Sequence, residues 1–253
     1  MPQYQKQSIS LCFMPLFKHP GPGKTIKIVH HSSSIMDKLD GGIVMNKLLS
    51  GGYERGIITT IFGPAGSGKT TLCMIAAIAA AKDKKVLYVD TEGGFSAERL
   101  IQLSGREAMR NILVLKPTSF EEQAKAIDNL RQMANDKIGL IVLDTISMLY
   151  RVEVGRKKDP KDIYGELDLQ ISYLTHIARK NSIPVIVTNQ VYSDFDEKDG
   201  VKMVGGDVLK YASKCLIELA KFKTARKAIL RKHRSLPESE ILFDIVQEGL
   251  KVI

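Results

Sequence analysis

Short runs of apolar and β-branched residues recur along the chain at 57–62, 86–89, 112–115, 140–143 and 185–188. They do not alternate with polar positions, the pattern of strands buried on both faces, as in parallel sheets. Between them the period lengthens to that of a helix. Residues 71–81 are helix-forming, and Ser119-x-x-Glu122 is a capping box that predicts a helix with Phe120, Ala124, Ile127 and Leu130 on one face. Residues 162–180 carry Leu167, Ile171, Leu174 and Ala178 at helical spacing. Strand alternating with helix implies right-handed crossovers and an α/β fold, a doubly wound, mainly parallel sheet. After Lys214 the helical period stops. Residues 216–220, 228–232, 241–246 and 250–253 read as strands, the last two joined by the turn Gln247-Glu248-Gly249, and predict an antiparallel extension on one sheet edge. The chain shows no internal repeat.

Residues 1–35 have no clear period. They hold four lysines and no acidic residue, a His19-Pro20-Gly21-Pro22-Gly23 breaker and the Ser32-Ser33-Ser34 run. This composition predicts a mobile extension ahead of a core domain at 36–253. Met36 and Met45 could serve as alternative translation starts, in which case part of the extension would lie outside the native product. A length of 253 residues and 44% hydrophobic content suit one large α/β domain with a tail. There is no apolar run long enough for a membrane span and no secretory signal at the start. Cys12, Cys73 and Cys215 are far apart and form no Cys-x-x-Cys, which predicts reduced thiols in a cytoplasmic protein. The five histidines show no ligand spacing, so no structural zinc is expected.

Directly after the first apolar run stands Gly63-Pro64-Ala65-Gly66-Ser67-Gly68-Lys69-Thr70, followed by Thr71 and a helical stretch. This is a Gly-x-x-x-x-Gly-Lys-Thr phosphate loop in the strand–loop–helix setting that it requires. Its glycines let backbone N–H groups turn toward a triphosphate, Lys69 would reach the β/γ-phosphates and the Thr70 hydroxyl would hold Mg²⁺. The helix that starts there adds its positive dipole end. ATP with Mg²⁺ is the expected cofactor pair. The run Leu140-Ile141-Val142-Leu143-Asp144 delivers a carboxylate at a strand end, where ligands of open α/β sheets bind. Asp144 could therefore reach the metal shell directly or through water. In Tyr88-Val89-Asp90-Thr91-Glu92-Gly93-Gly94, Glu92 lies just past another strand end and could deprotonate the attacking water. The same residues are ordinary turn formers, and Asp90 reads as a helper or turn residue.

Asp90-Thr91-Glu92-Gly93, then Glu98-Arg99-Leu100, Thr188-Asn189-Gln190-Val191 and Gly205-Gly206, resemble the RecA/RadA recombinase superfamily. The stretch Lys47-Leu48-Leu49-x-Gly51-Gly52-x-x-x-Gly56 is similar to that of archaeal members. The resemblance covers about residue 46 to the end and implies a RecA-type core. It implies that Glu92 activates water, that Arg99 packs against the adenine, and that Gln190 senses the γ-phosphate and relays it to the following DNA loop. Arg99 as a solvated helix residue and Gln190 as a strand-end cap stay open. Residues 1–45 supply neither the helical DNA-binding domain of full-length members nor their Phe-x-x-Ala hook. Phe222-Lys223-Thr224-Ala225 matches the hook but falls among the C-terminal strands, where it reads as coincidence. The stretch 192–204, between Gln190 and Gly205-Gly206, is shorter than the family's second DNA loop and acidic at Asp194, Asp196, Glu197 and Asp199, which opposes phosphate binding. Such a core-only chain is similar to the superfamily's short archaeal paralogues.

The formal charge is +9, and residues 202–234 hold ten lysines and arginines against Asp207 and Glu218, a local balance of +8. Two clusters stand out as polyanion contacts: Arg156, Lys157 and Lys158 within 151–161, in the place of the family's first DNA loop, and Arg231, Lys232 and Arg234 at a strand end. A solubilising basic rim is the alternative for both. The reading is a RecA-like ATPase of weak turnover that binds DNA independently of sequence and modulates recombination beside a full-length recombinase, with self-association possible in principle. A signalling or hexameric-helicase core and, less favoured, a small-molecule P-loop kinase are the other classes; stimulation of ATPase by DNA discriminates among them.

Overall fold

A computed structural model describes residues 37–156, 161–193, 201–205 and 207–253. The chain opens with α1 (Gly42–Leu48), β1 (Ile58–Gly63), α2 (Lys69–Ala81), β2 (Lys85–Asp90) and α3 (Ala97–Ser104). A 3₁₀ turn (Ala108–Asn111) leads into β3 (Ile112–Leu115), α4 (Phe120–Met133), β4 (Ile138–Asp144), α5 (Ser147–Arg156), α6 (Lys161–Asn181) and β5 (Val185–Ser193). Then follow β6 (Val201–Met203), α7 (Asp207–Ala212), β7 (Cys215–Phe222), β8 (Ala225–Lys232), β9 (Ser239–Val246) and β10 (Gly249–Val252).

Nine strands run in the order β10-β9-β8-β7-β1-β5-β4-β2-β3, with β6 paired to β5 off this path. From β3 to β7 all neighbours are parallel; β8, β9 and β10 add antiparallel. The expected architecture is therefore present, and β7 is the hinge of the pattern: parallel to β1 on one side, antiparallel to β8 on the other. Why the strands read as unbroken apolar runs is visible in the core. Val86, Tyr88, Leu140, Val142 and Ile186 join a cluster with α1 and α2 on one face, whereas Leu87, Val89, Ile141, Leu143, Val185 and Val187 pack with α4, α5 and α6 on the other. Successive side chains alternate sides, and both sides are covered.

Three sequence expectations are adjusted by the structure. In α4, Ser119 Oγ accepts from Glu122 N at 3.1 Å, but the Glu122 carboxylate turns back to Thr118 N and Oγ1 rather than to the Ser119 amide, so only half of the capping box forms. The buried stripe of α4 is Phe120, Gln123, Ala126, Ile127 and Leu130, with Ala124 at its margin. Gln123 is tolerated inside because Nε2 donates to Gln170 Oε1 at 2.8 Å. Finally, the basic segment after β4 is helical through Arg156, since α5 buries Leu149 and packs Tyr150 edge-on against Phe120.

Residues before β1 are integral to the core. Leu39 pairs with Tyr53 through two backbone hydrogen bonds of 2.8 Å, and Val44 and Met45 are fully buried. Gly52 makes this possible: its φ is +120°, and a Cβ there would stand 2.1 Å from Leu39 O. The Phe222-Lys223-Thr224-Ala225 tetrapeptide is the β7–β8 hairpin, in which Phe222 and Ala225 face one another across the ladder. Cys73 and Cys215 are buried free thiols, with burial pushing Cys215 up to about 12. Among the described residues no helix is long and apolar enough to cross a membrane. The expected extension at 1–35 and the acidic residues 194–199 lie outside the described residues.

Candidate nucleotide site

The phosphate loop leaves β1, which lies between β5 and β7 in the sheet, and turns into α2. Gly66 and Gly68 have φ of +73° and +106°, backbone conformations that a Cβ would strain. At Gly68 a Cβ would also press on Ile245 at 3.1 Å, so β9 backs the loop. Lys69 opens the helix and its Nζ donates to Gly63 O at 2.8 Å and Pro64 O at 2.9 Å. Burial lowers the pKa of this amine, while Glu92 and Asp144 nearby favour its charge. A buried Ser67 hydroxyl in the same loop has no hydrogen-bond partner. An amine held on its own loop's carbonyls and an orphaned hydroxyl suit a polyphosphate that would take up both. Thr70 follows in the first turn of α2, with Thr71 behind it; a Cβ on Gly94 would lie 3.5 Å from Thr70 Oγ1.

Two carboxylates are brought to this end of the sheet by neighbouring strands. Asp90 and Asp144 are register partners in β2 and β4, and Gln190 of β5 is the register partner of Gly63. Asp144 is buried and accepts from Tyr88 Oη at 2.9 Å and from Thr188 Oγ1. Burial raises the Tyr88 hydroxyl well above its ordinary range, so it stays a donor. Glu92 Oε1 accepts from Thr145 Oγ1 at 2.8 Å and Gln190 Nε2 at 2.7 Å. Gln190 is itself held: its amide N donates to Ser147 Oγ at 3.2 Å, and Arg151 approaches its Oε1 at 3.4 Å. Asp90 spends its two oxygens on the amides of Gly94 and Phe95, at 3.0 and 3.1 Å, which is a turn-forming role. Arg99 reaches the β9–β10 turn, donating to Val246 O at 2.7 Å and Gln247 O at 2.8 Å. Thr145 and Tyr88 escaped the sequence reading, because nothing in a hydroxyl's local context shows that its partner lies more than 50 residues away.

The basic clusters fare unevenly. Arg156 ends α5 and is exposed; Lys157 and Lys158 lie outside the described residues. Arg231 pairs with Glu218 at 2.6 Å. Arg234 Nε stands 2.6 Å from Oε2 of the buried Glu54, an ion pair without good hydrogen-bond alignment. Lys232 Nζ donates to Lys210 O at 2.9 Å. His233 is buried beside Glu54, its Nδ1 accepting from the amides of Ser235 and Leu236.

Strand order and site together define the class: a RecA-type P-loop core. Within it the chain belongs to the Rad51 family, which it matches over residues 31–252. It is 40% identical over 216 residues to the "DNA repair and recombination protein RadB" of Methanococcus maripaludis strain C7, covering 83% of this chain and 98% of that protein. The protein of the same name from Methanobrevibacter smithii is 42% identical over 218 residues, covering 81% of this chain and 92% of its own. Among solved structures, one described as the RadB recombinase is 36% identical with a TM-score of 0.73, covering 85% of this chain and 99% of that one.

Proposed function

We propose that this chain is a RadB-like DNA repair and recombination protein that binds ATP with Mg²⁺, hydrolyses it slowly, and binds DNA without reading sequence. It would modulate recombination beside a full-length RecA/RadA-type recombinase. The observation that carries the ATPase reading is the hydrogen bond between Glu92 and Gln190 at the mouth of the phosphate loop.

Lys69 would exchange the Gly63 and Pro64 carbonyls for β/γ-phosphate oxygens, and the loop's N–H groups would cradle them. Thr70 would ligate Mg²⁺ directly and Asp144 through water, since both its oxygens already accept hydrogen bonds. The bound metal would neutralise charge developing on the phosphates. Glu92 would take the proton of the attacking water on Oε2, because Thr145 and Gln190 both occupy Oε1. Gln190, tied to Glu92 and to α5 through Ser147, would report the γ-phosphate to the segment that follows β5. Arg99, steadied by two carbonyls, would present its guanidinium plane to the adenine. For DNA, Arg156, Lys157, Lys158, Arg231, Lys232 and Arg234 are the proposed phosphate contacts.

The test is nucleotide titration with Lys69→Ala together with ATPase rates with and without DNA. Loss of ATP affinity and stimulation by DNA are expected. Unchanged affinity in the variant would overturn the phosphate site, and phosphorylation of a metabolite would move the chain to the kinase class.

A further inference from the structure

The +8 balance of residues 202–234 is not one uniform patch once the chain is folded. Asp244 pairs with Arg226, Glu240 with Lys227, Glu218 with Arg231 and buried Glu54 with Arg234, so four of its cations are matched within the protein. Lys210 and Lys214 stand differently: both are exposed, and neither side chain has a carboxylate partner among the described residues. The fold carries Lys232 to them, its Nζ donating to the Lys210 carbonyl at 2.9 Å. Burial first, and then the charges of Lys214 and Lys210, lower the Lys232 pKa. A recess of about 190 Å³ continues from there along the start of β1, with Arg179, Lys214 and Arg234 in its lining. The acidic groups on the neighbouring elements are Asp207 in the first turn of α7, Asp168 of α6, which lines a recess with Ala212, and Glu218 of β7, which is taken by Arg231.

Between the two lysines stands Tyr211, 73% exposed on a six-residue helix whose other face buries Leu209. A large aromatic ring left in water next to unmatched lysines is the pairing that single-stranded nucleic acid uses: phosphates on the cations and an unpaired base on the ring. A duplex keeps its bases stacked inside and cannot offer that face.

We infer that Lys210, Tyr211 and Lys214, joined by Lys232, form a contact site for single-stranded DNA, with Tyr211 as the stacking platform. Of the strand-end contacts proposed above it uses Lys232, and it adds three residues on or just after α7. It rests on DNA binding as proposed above.

The chain contains no tryptophan, so Tyr211→Trp places a sole indole reporter at the site. Adding oligo(dT) to this variant should quench its emission, in parallel with binding followed by anisotropy of a labelled oligonucleotide. Tyr211→Ala should weaken single-strand binding by about five- to a hundredfold and leave duplex binding nearly unchanged, the usual worth of one base–aromatic stack. Lys210→Ala with Lys214→Ala should flatten the single-strand salt slope by up to about 1.4 units. Oligonucleotide binding with an unchanged indole signal and unaltered slope in these variants overturns the site while leaving DNA binding intact. An indole shift that tracks protein concentration without DNA makes the face a contact between copies and also overturns it. Failure of the wild-type chain to bind any DNA instead defeats the underlying functional reading.

Discussion

Gln190 Nε2 donates to Glu92 Oε1 across 2.7 Å, although 98 residues of chain separate the two. The contact exists because β5 lies beside β1 and its Gln190 is level with Gly63, while the turn after β2 swings Glu92 over the same end of the sheet. Gln190 is thus tied to the proposed base and lies level with the first residue of the phosphate loop, the placement on which its proposed sensor role rests.

Glu92→Gln should keep ATP bound and slow hydrolysis about a hundredfold or more, because the amide cannot accept the water's proton. Nucleotide titration and single-turnover hydrolysis separate the two effects. A normal rate in this variant, with Asp90→Asn slow, would transfer the base to Asp90.

Asp90→Ala should act on stability. It orphans the amides of Gly94 and Phe95 next to a buried position, a loss of about 1–3 kcal/mol. Thermal unfolding should shift down by roughly 2–10 °C for a domain of this size, with Asp90→Asn intermediate because one acceptor oxygen is retained. An unchanged melting temperature for the alanine variant would contradict the turn role.

Gly52→Ala should be among the most damaging single-methyl changes in the chain. The new Cβ would lie 2.1 Å from Leu39 O at a φ of +120°, so the Leu39–Tyr53 bridge must open or the backbone must move. A cost of roughly 3 kcal/mol or more is expected, read as a lowered denaturation midpoint. Gly66→Ala meets no atom within 4 Å and strains only its own φ, which makes it the milder control.

His233 sets a pH dependence. Its ring is buried and burial lowers its pKa below the ordinary 6.5, with Glu54 pulling the other way. As pH falls, the unfolded chain takes up this proton first, so stability should decline from about pH 6.5 and level off once folded His233 also protonates. His233→Asn, which keeps an acceptor for the amides of Ser235 and Leu236, should flatten that part of the stability–pH curve. A curve of unchanged shape would show that other groups dominate the window.

Much of this is legible in the amino-acid sequence. The strand at 112–115 matches β3 residue for residue, β1 is displaced by one residue from its apolar run, and β2, β4 and β5 extend beyond theirs at the ends. Strand ends are polar because they carry the site: Asp90, Asp144 and Gln190 all terminate or overrun an apolar run. The short helices α1, α3 and α7 were not legible. With six to eight residues each they hold too few turns for a period to emerge, and packing rather than propensity keeps them folded. Gln123 shows the complementary failure, a polar residue on a buried stripe whose amide partner, Gln170, comes from another helix.

What the sequence by itself determined is local: the phosphate loop, the double-sided burial of the central strands, and the change to antiparallel strands after Lys214. Each follows from a motif or from periods read within single short segments. Tertiary structure alone decided which distant groups meet. It set Thr145 and Gln190 on one oxygen of Glu92, and Tyr88 and Thr188 on Asp144. It also divided the basic C-terminal region into cations matched by carboxylates, Arg226, Lys227, Arg231 and Arg234, and the exposed Lys210 and Lys214 on either side of Tyr211. The physical reason is that periodicity records how deeply a residue is buried, whereas strand order decides what it is buried against.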